Sequence, residues 1–319
     1  MRATALYRDS GLVRRFRGVI PYLATPLHED ESINVGEMRR LCEHLIGQGV
    51  NGLTPLGSTG ECAYLSIEDR CKVVQAVVDA SNGRVPVVPG VFSRSVKGAI
   101  DQARAVQRLG ADGMVLTLDS YFPLSQTAVR DYFLRVADAA DLPIIIYTNP
   151  NFQKVDLGID LIVELSRHPR MAGIKDASGK TGRLLSLSMQ CREGFGIYAA
   201  SAHIGVNVML LGGVGLFAGP ACVLTPENVR LYELCQAMRW DEAMALQKIL
   251  WRFSEAFASY NLAACVKAAL EHDGFTPGNP IAPQPRLADE AKQTIWKILD
   301  EVRMEARTYL DSVIGGVAS

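Results

Sequence analysis

The sequence predicts an α/β fold, a (β/α)8 TIM barrel with a C-terminal helical extension. Three observations lead there. From Arg17 onward, short β-rich runs alternate with longer helical ones, eight times over. The short runs are apolar with little polar alternation, as expected of parallel strands covered on both faces. The turn after the first run, Thr25-Pro26-Leu27, lacks the glycine pattern that opens a phosphate-binding doubly wound sheet, so the closed barrel is the better solution.

Each unit has its own local logic. The first strand is expected over 18–25, followed by a loop and a helix that Asn34 caps, with Met38, Leu41, Leu45 and Ile46 on one face and a stop near Gly47 and Gly49. A second strand over 52–56 runs into the turn Gly57-Ser58-Thr59-Gly60-Glu61. Ser66 then opens a helix, with Asp69 completing a capping box. Strands over 85–91, 113–118, 143–147, 172–175, 195–200 and 214–218 follow. They alternate with helices over 95–109, 125–140, 158–167, 181–191, 203–211 and 225–238. Residues 1–16 read as an extension, 17–240 as the barrel, and 241–319 as a helical region packed on it. Its helices fall over 242–258, 262–272 and 288 to about 313, with a proline-rich link over 276–285 before the last.

Composition excludes several classes. A 48% hydrophobic, 21% charged chain can bury a large core, yet Gly, Pro or charge interrupts every apolar run before it could span a bilayer. The N-terminal segment has arginines but no apolar signal core, so a cytoplasmic protein is expected. A net charge of −1 offers no basis for binding nucleic acid or an anionic membrane. The seven cysteines are scattered without a CxxC pair and read as small buried hydrophobes. The five histidines lack metal-helix spacing, so neither a metal nor another cofactor is expected.

In a barrel of this kind, chemistry gathers at the C-terminal ends of the strands. Ser58 and Thr59 follow the second strand, Tyr121 the fourth, Tyr147 ends the fifth and Lys175 the sixth. Each alone has a structural explanation: a turn cap, an interface aromatic, a core tyrosine, a solvated lysine. Their placement on one rim points instead to a site.

The pieces Thr25-Pro26, Gly57-Ser-Thr-Gly-Glu61, Tyr147 with Pro150, Gly173-Ile-Lys-Asp-Ala-Ser-Gly179, Gly212-Gly-Val-Gly215 and Val266-Lys-Ala-Ala-Leu270 with Gly274 are individually weak. In this order and spacing, the chain resembles the dihydrodipicolinate synthase and N-acetylneuraminate lyase family of pyruvate-dependent class I aldolases. The resemblance implies that Lys175 forms a Schiff base with a 2-oxo acid and that Tyr147 is the general acid/base. Thr59, with the backbone of Gly57 and Gly60, would hold the pyruvate carboxylate, and Ser58 would relay protons to Tyr147. Tyr121 is the candidate for a tyrosine that synthase members borrow from a neighbouring subunit, which implies a homodimer or homotetramer. Glu61 is expected to be a structural acceptor rather than a base.

Two departures bear on the second reactant, an aldehyde or a sugar acid. Synthase members carry an arginine soon after the Tyr147 motif; this chain reads Tyr147-Thr-Asn-Pro-Asn-Phe-Gln153, with Lys154 the only nearby cation. After the seventh strand it has Ala200-Ser201-Ala202 in place of a Gly-Asp-Asp-like turn. Both argue against aspartate semialdehyde. The alternatives are a hydratase-aldolase or sugar-acid dehydratase of the same mechanism, a non-catalytic binding paralogue, and a phosphate-binding barrel suggested by Gly212-Gly213. Those glycines precede the last strand, so they read as a helix stop.

Overall fold

Prolines govern how this barrel closes. The computed structural model describes residues 14–150, 153–200 and 204–315. Its seven parallel strands pair in the order β1–β7–β6–β5–β4–β3–β2. They are β1 (Gly18–Val19), β2 (Gly90–Ser93), β3 (Met114–Leu118), β4 (Ile144–Thr148), β5 (Met171–Asp176), β6 (Gly196–Ala199) and β7 (Gly215–Leu216).

The eighth run, residues 51–56, joins the two outer strands without forming a regular ladder. The Asn51 N–H donates to Val19 O at 2.8 Å and the Thr54 N–H to Pro21 O at 3.0 Å. On its other side, the Leu53 N–H donates to Pro86 O and the Val88 N–H to Leu53 O, both at 2.9 Å. Pro21, Pro55, Pro86 and Pro89 have no N–H to give, so pairing is reduced to isolated bridges at Tyr22–Thr54 and Leu53–Val87. The strands expected over 18–25 and 52–56 are therefore extended and paired but broken. The third is regular only from Gly90, where the prolines end.

The helices of the barrel are α1 (Val35–Gly47), α2 (Ile67–Ser81), α3 (Val96–Arg108), α4 (Gln126–Ala139), α5 (Ile159–Ser166), α6 (Thr181–Gln190), α7 (Gly205–Leu210) and α8 (Thr225–Gln236). Asn34 and Ser66 are the expected caps, and Ser95 and Ser125 act likewise, each accepting the backbone N–H three residues on. Gly212 ends α7, its N–H donating to Met209 O at 3.0 Å, which is the helix stop its position suggested. Beyond the barrel lie α9 (Trp240–Ala256), α10 (Leu262–His272) and α11 (Asp289–Gly315). No helix among the described residues is long and apolar enough to cross a membrane.

Two apolar shells hold the molecule together. The larger lies between sheet and helices. The smaller fills the barrel with Phe16, Ile20, Val88, Val115, Ile145, Tyr198 and Phe217 among others, and Tyr22 and Tyr147 belong to it. Register places the site on top of this inner shell. Ile145 pairs with Gly173 and Tyr147 with Lys175, so the period of two that points Ile145 into the barrel also points Tyr147 inward, beside Lys175.

Candidate active site

Lys175 is the centre of the site. Its side chain is buried, and its Nζ lies between two aromatic faces, 3.8 Å from the Tyr22 ring centroid and 3.9 Å from that of Tyr147. Among the described residues no carboxylate pairs with it. The adjacent Asp176 is engaged elsewhere, accepting from Arg183 Nε at 2.7 Å, while Arg183 Nη1 also reaches Asp156 at 2.6 Å. The ring faces favour an ammonium, but burial outweighs them and pulls the amine well below its ordinary value of 10.5. A neutral amine is the form that attacks a carbonyl.

Tyr147 is held by hydrogen bonds as well as by register. Asn149 Nδ2 donates to its hydroxyl at 2.9 Å, and the Ser58 side chain is a second hydrogen-bonding neighbour. Burial pushes the phenol up to about 12, against the pull of these two partners, so near neutral pH it carries its proton. Asn149 is itself braced, its N–H donating to Gln153 Oε1 at 2.9 Å while Gln153 Nε2 donates to Leu118 O at 3.1 Å.

The Gly57–Glu61 turn forms the facing wall. Its own hydrogen bonds run from the Gly60 N–H to Gly57 O (3.1 Å), from Glu61 to Ser58 (3.1 Å) and from Cys62 to Gly57 (3.3 Å). The N–H groups of Gly57, Ser58 and Thr59 lie outside that set. The Gly60 N–H, expected among the carboxylate donors, is used inside the turn. The two glycines act through their missing side chains: a Cβ on Gly57 would fall 1.9 Å from Tyr22 Cδ1, and one on Gly60 would fall 2.8 Å from Leu23 O. Thr59 is buried and Ser58 exposed to the cavity mouth.

Glu61 is structural, as its position suggested. It is buried and forms an ion pair with Lys267 of α10 at 2.6 Å. Its Oε1 accepts the Ile281 N–H at 2.6 Å and Gln284 Nε2 at 2.8 Å. Lys267 also donates to Asn279 O at 2.8 Å, so this pair fastens the turn to the proline-rich link. Glu61 has φ 55° and Leu56 φ 63°, left-handed values on both sides of the turn that the surrounding bonds must sustain.

The structure thus brings Lys175, Tyr147, Ser58 and Gly57 together around Tyr22, with Thr59 and Gly60 in the same turn but off the cavity wall. It does not bring Tyr121. That side chain is 72% exposed, stacked edge-on against Phe122 at 4.9 Å and absent from the cavity wall of its own chain. Residues 151–152 and 201–203, which include parts of the two substituted loops, lie outside the described residues. Sequence reasoning missed Tyr22 and Asn149. Asn149 stands two residues beyond Tyr147, which by strand period puts it on the same side; that signal was available. Tyr22 had only its inward parity in a proline-interrupted strand. Among the described residues no cluster of three or more His, Cys, Asp or Glu is arranged to hold a metal.

A buried amine without a counter-carboxylate, in register with a protonated phenol on a (β/α)8 rim, is equipped for Schiff-base chemistry, and the class defined is a Schiff-base-forming lyase or aldolase. The comparisons specify it further. The model of the dihydrodipicolinate synthetase family matches residues 15–302, and the chain belongs to that family. A 4-hydroxy-tetrahydrodipicolinate synthase from Methanosphaerula palustris is 31% identical over 89% of this chain and 98% of its own length. The one from Phenylobacterium zucineum is 32% identical over 86% and 94%. Among solved structures, the Acinetobacter baumannii dihydrodipicolinate synthase is similar with TM-score 0.86 at 26% identity, over 90% of this chain and 98% of that one. The Ruminococcus gnavus sialic acid aldolase shares the fold, with TM-score 0.87 at 24% identity over 92% and 99%.

Proposed function

We propose that this barrel binds a 2-oxo acid such as pyruvate as an imine on Lys175 and makes or breaks the carbon–carbon bond next to it, with an aldehyde or a sugar acid as the other reactant. The observation that carries the reading is the ladder pairing of Tyr147 with a buried Lys175 that has no ionic partner among the described residues. The Acinetobacter relative, solved with pyruvate bound, supports the choice of 2-oxo acid.

The residues supply the steps in turn. The Lys175 amine attacks the ketone carbon, and the resulting hydroxyl takes a proton from solvent and leaves as water, giving a protonated imine. A proton passes from the adjacent carbon to water to give an enamine, whose carbon bonds to the aldehyde carbon while the aldehyde oxygen takes the Tyr147 proton. One water then hydrolyses the imine, freeing Lys175 and releasing the proton that restores the Tyr147 phenol; cleavage is the reverse. Ser58 relays that proton to Tyr147, Asn149 orients it, and the N–H groups of Ser58 and Thr59 with the Thr59 hydroxyl hold the carboxylate. Reductive trapping tests this: pyruvate and borohydride are expected to add one reduced pyruvyl group per chain, and an unchanged mass would overturn it.

The second reactant is not expected to be aspartate semialdehyde. Lys154 is exposed and Arg183 is committed to Asp156 and Asp176, and neither lines the cavity beside Tyr147. A charge-assisted contact contributes about 1.5–3 kcal/mol, so condensation with this aldehyde should run roughly 10- to 100-fold less efficiently than in an ordinary synthase. A coupled assay of kcat/KM decides it; a rate equal to that of the synthases would show another cation in the arginine's place.

The assembly follows from the exposed Tyr121-Phe122 pair. Two large aromatics in water on one loop favour a partner surface, each gaining roughly 1.5–3 kcal/mol on burial. A homodimer, or a dimer doubled to a tetramer, would let Tyr121 complete the relay of the neighbouring site. Tyr121→Phe subunits mixed with Lys175→Ala subunits should then recover activity, because both lesions fall in one site and leave the other intact. A fully active monomer by light scattering would defeat this. So would failure to recover activity despite proven exchange and an inactive Tyr121→Phe parent.

A further inference from the structure

The cavity beside Tyr147 has about 350 Å³ of free space and runs from the barrel mouth outward to Asn261 and Gln284. Its walls carry no lysine, arginine or histidine among the described residues. By type, residues 151–152 and 201–203 include no lysine or arginine and one histidine, His203. The one carboxylate on the wall, Glu61, is already neutralised by Lys267. Apolar groups make up much of the rest: Leu56, Val91, Phe92, Val115 and Leu262. The polar groups nearest the chemistry are neutral, namely Ser58, Asn149 and the Tyr22 hydroxyl, which is buried and without a hydrogen-bond partner among the described residues.

Such a wall discriminates by charge. The carboxylate of the 2-oxo acid has the Ser58–Thr59 N–H groups and the positive imine to answer it. A second carboxylate on the acceptor would have to shed its water against apolar side chains, with no lysine or arginine among the described wall residues to meet it, which is costly. An apolar body would instead gain from burial. Taking Lys175 as the imine-forming residue, we infer that the acceptor is an uncharged aldehyde with an apolar body, of the aryl or branched-alkyl class, and not an aldehyde bearing its own carboxylate. In the bond-forming step its carbonyl carbon accepts the enamine carbon and its oxygen takes the Tyr147 proton, so the acceptor itself stays uncharged while the phenolate faces the positive imine.

An acceptor panel tests this on the full-length protein with saturating pyruvate. Benzaldehyde and 3-methylbutanal are compared with succinic semialdehyde, products being followed by mass spectrometry, and borohydride trapping is run in parallel. The better apolar aldehyde is expected to exceed succinic semialdehyde by about tenfold or more in kcat/KM, equivalent to about 1.4 kcal/mol. Phe92→Arg, which places a cation on the wall, should shrink that ratio; Thr117→Lys serves the same purpose if the first variant fails to fold. The inference is overturned if succinic semialdehyde matches the apolar aldehydes, if neither apolar aldehyde is turned over while the imine is trapped, or if a folded wall variant leaves the ratio unchanged. Absence of a trapped imine identifies a different failure, that of Lys175 as the nucleophile, and removes the inference with it.

Discussion

Lys175→Ala is expected to take no reduced pyruvyl group and to lose roughly 10⁴-fold or more in turnover, about 5 kcal/mol of transition-state stabilisation, as removal of a covalent nucleophile does elsewhere. The adduct on the wild-type protein should map to the Lys175 peptide, and an adduct persisting in the variant would transfer the chemistry to another amine. Buried Lys267 is the natural control, since its Nζ is paired with Glu61 and bonded to Asn279. The depressed Lys175 pKa also has a consequence for stability. Between that native value and the 10.5 of the unfolded chain, the unfolded state binds the extra proton, so this group's contribution to stability increases as pH rises through the window. Lys175→Met should therefore raise Tm near neutral pH and flatten its rise with pH, while abolishing activity. A variant less stable than wild type across that window would mean that the amine has a stabilising partner.

Tyr147→Phe is expected to leave imine trapping intact while lowering turnover by roughly 10²- to 10⁴-fold, or about 3–5 kcal/mol, the usual share of a positioned acid/base. Only the hydroxyl is removed; the ring that lies 3.9 Å from Lys175 Nζ remains, so the burial that lowers the amine's pKa is preserved. Trapped adduct and turnover should thus separate, which a merely structural tyrosine would not produce. Wild-type turnover in Tyr147→Phe would remove the phenol from the mechanism. Loss of trapping along with turnover would mean that it acts before the imine forms.

Most of the barrel was legible because strand and helix alternation is a local property. Asn34, Ser66, Ser95 and Ser125 cap the helices their positions announced. Local pattern misjudged the strands at the closure of the barrel. Whether residues 51–56 form a ladder depends on which N–H groups the neighbours Pro21 and Pro86 lack, and those neighbours are remote in sequence. The rim residues were legible for a related reason: in a parallel barrel every strand delivers its C-terminal end to the same face, so chain order already groups Ser58, Tyr147 and Lys175.

By itself, then, the sequence determined the strand–helix alternation, the rim on which the polar residues meet, and the residue types that imine chemistry requires. It could not determine environment. That Asp176 turns away to Arg183, leaving Lys175 without a counter-charge among the described residues, and that Glu61 is consumed by Lys267 are decided by pairings made only in the closed chain, the second between residues 206 positions apart. The physical reason is that the charge state of an amine or phenol follows from its burial and its partners, and both exist only once the chain has closed.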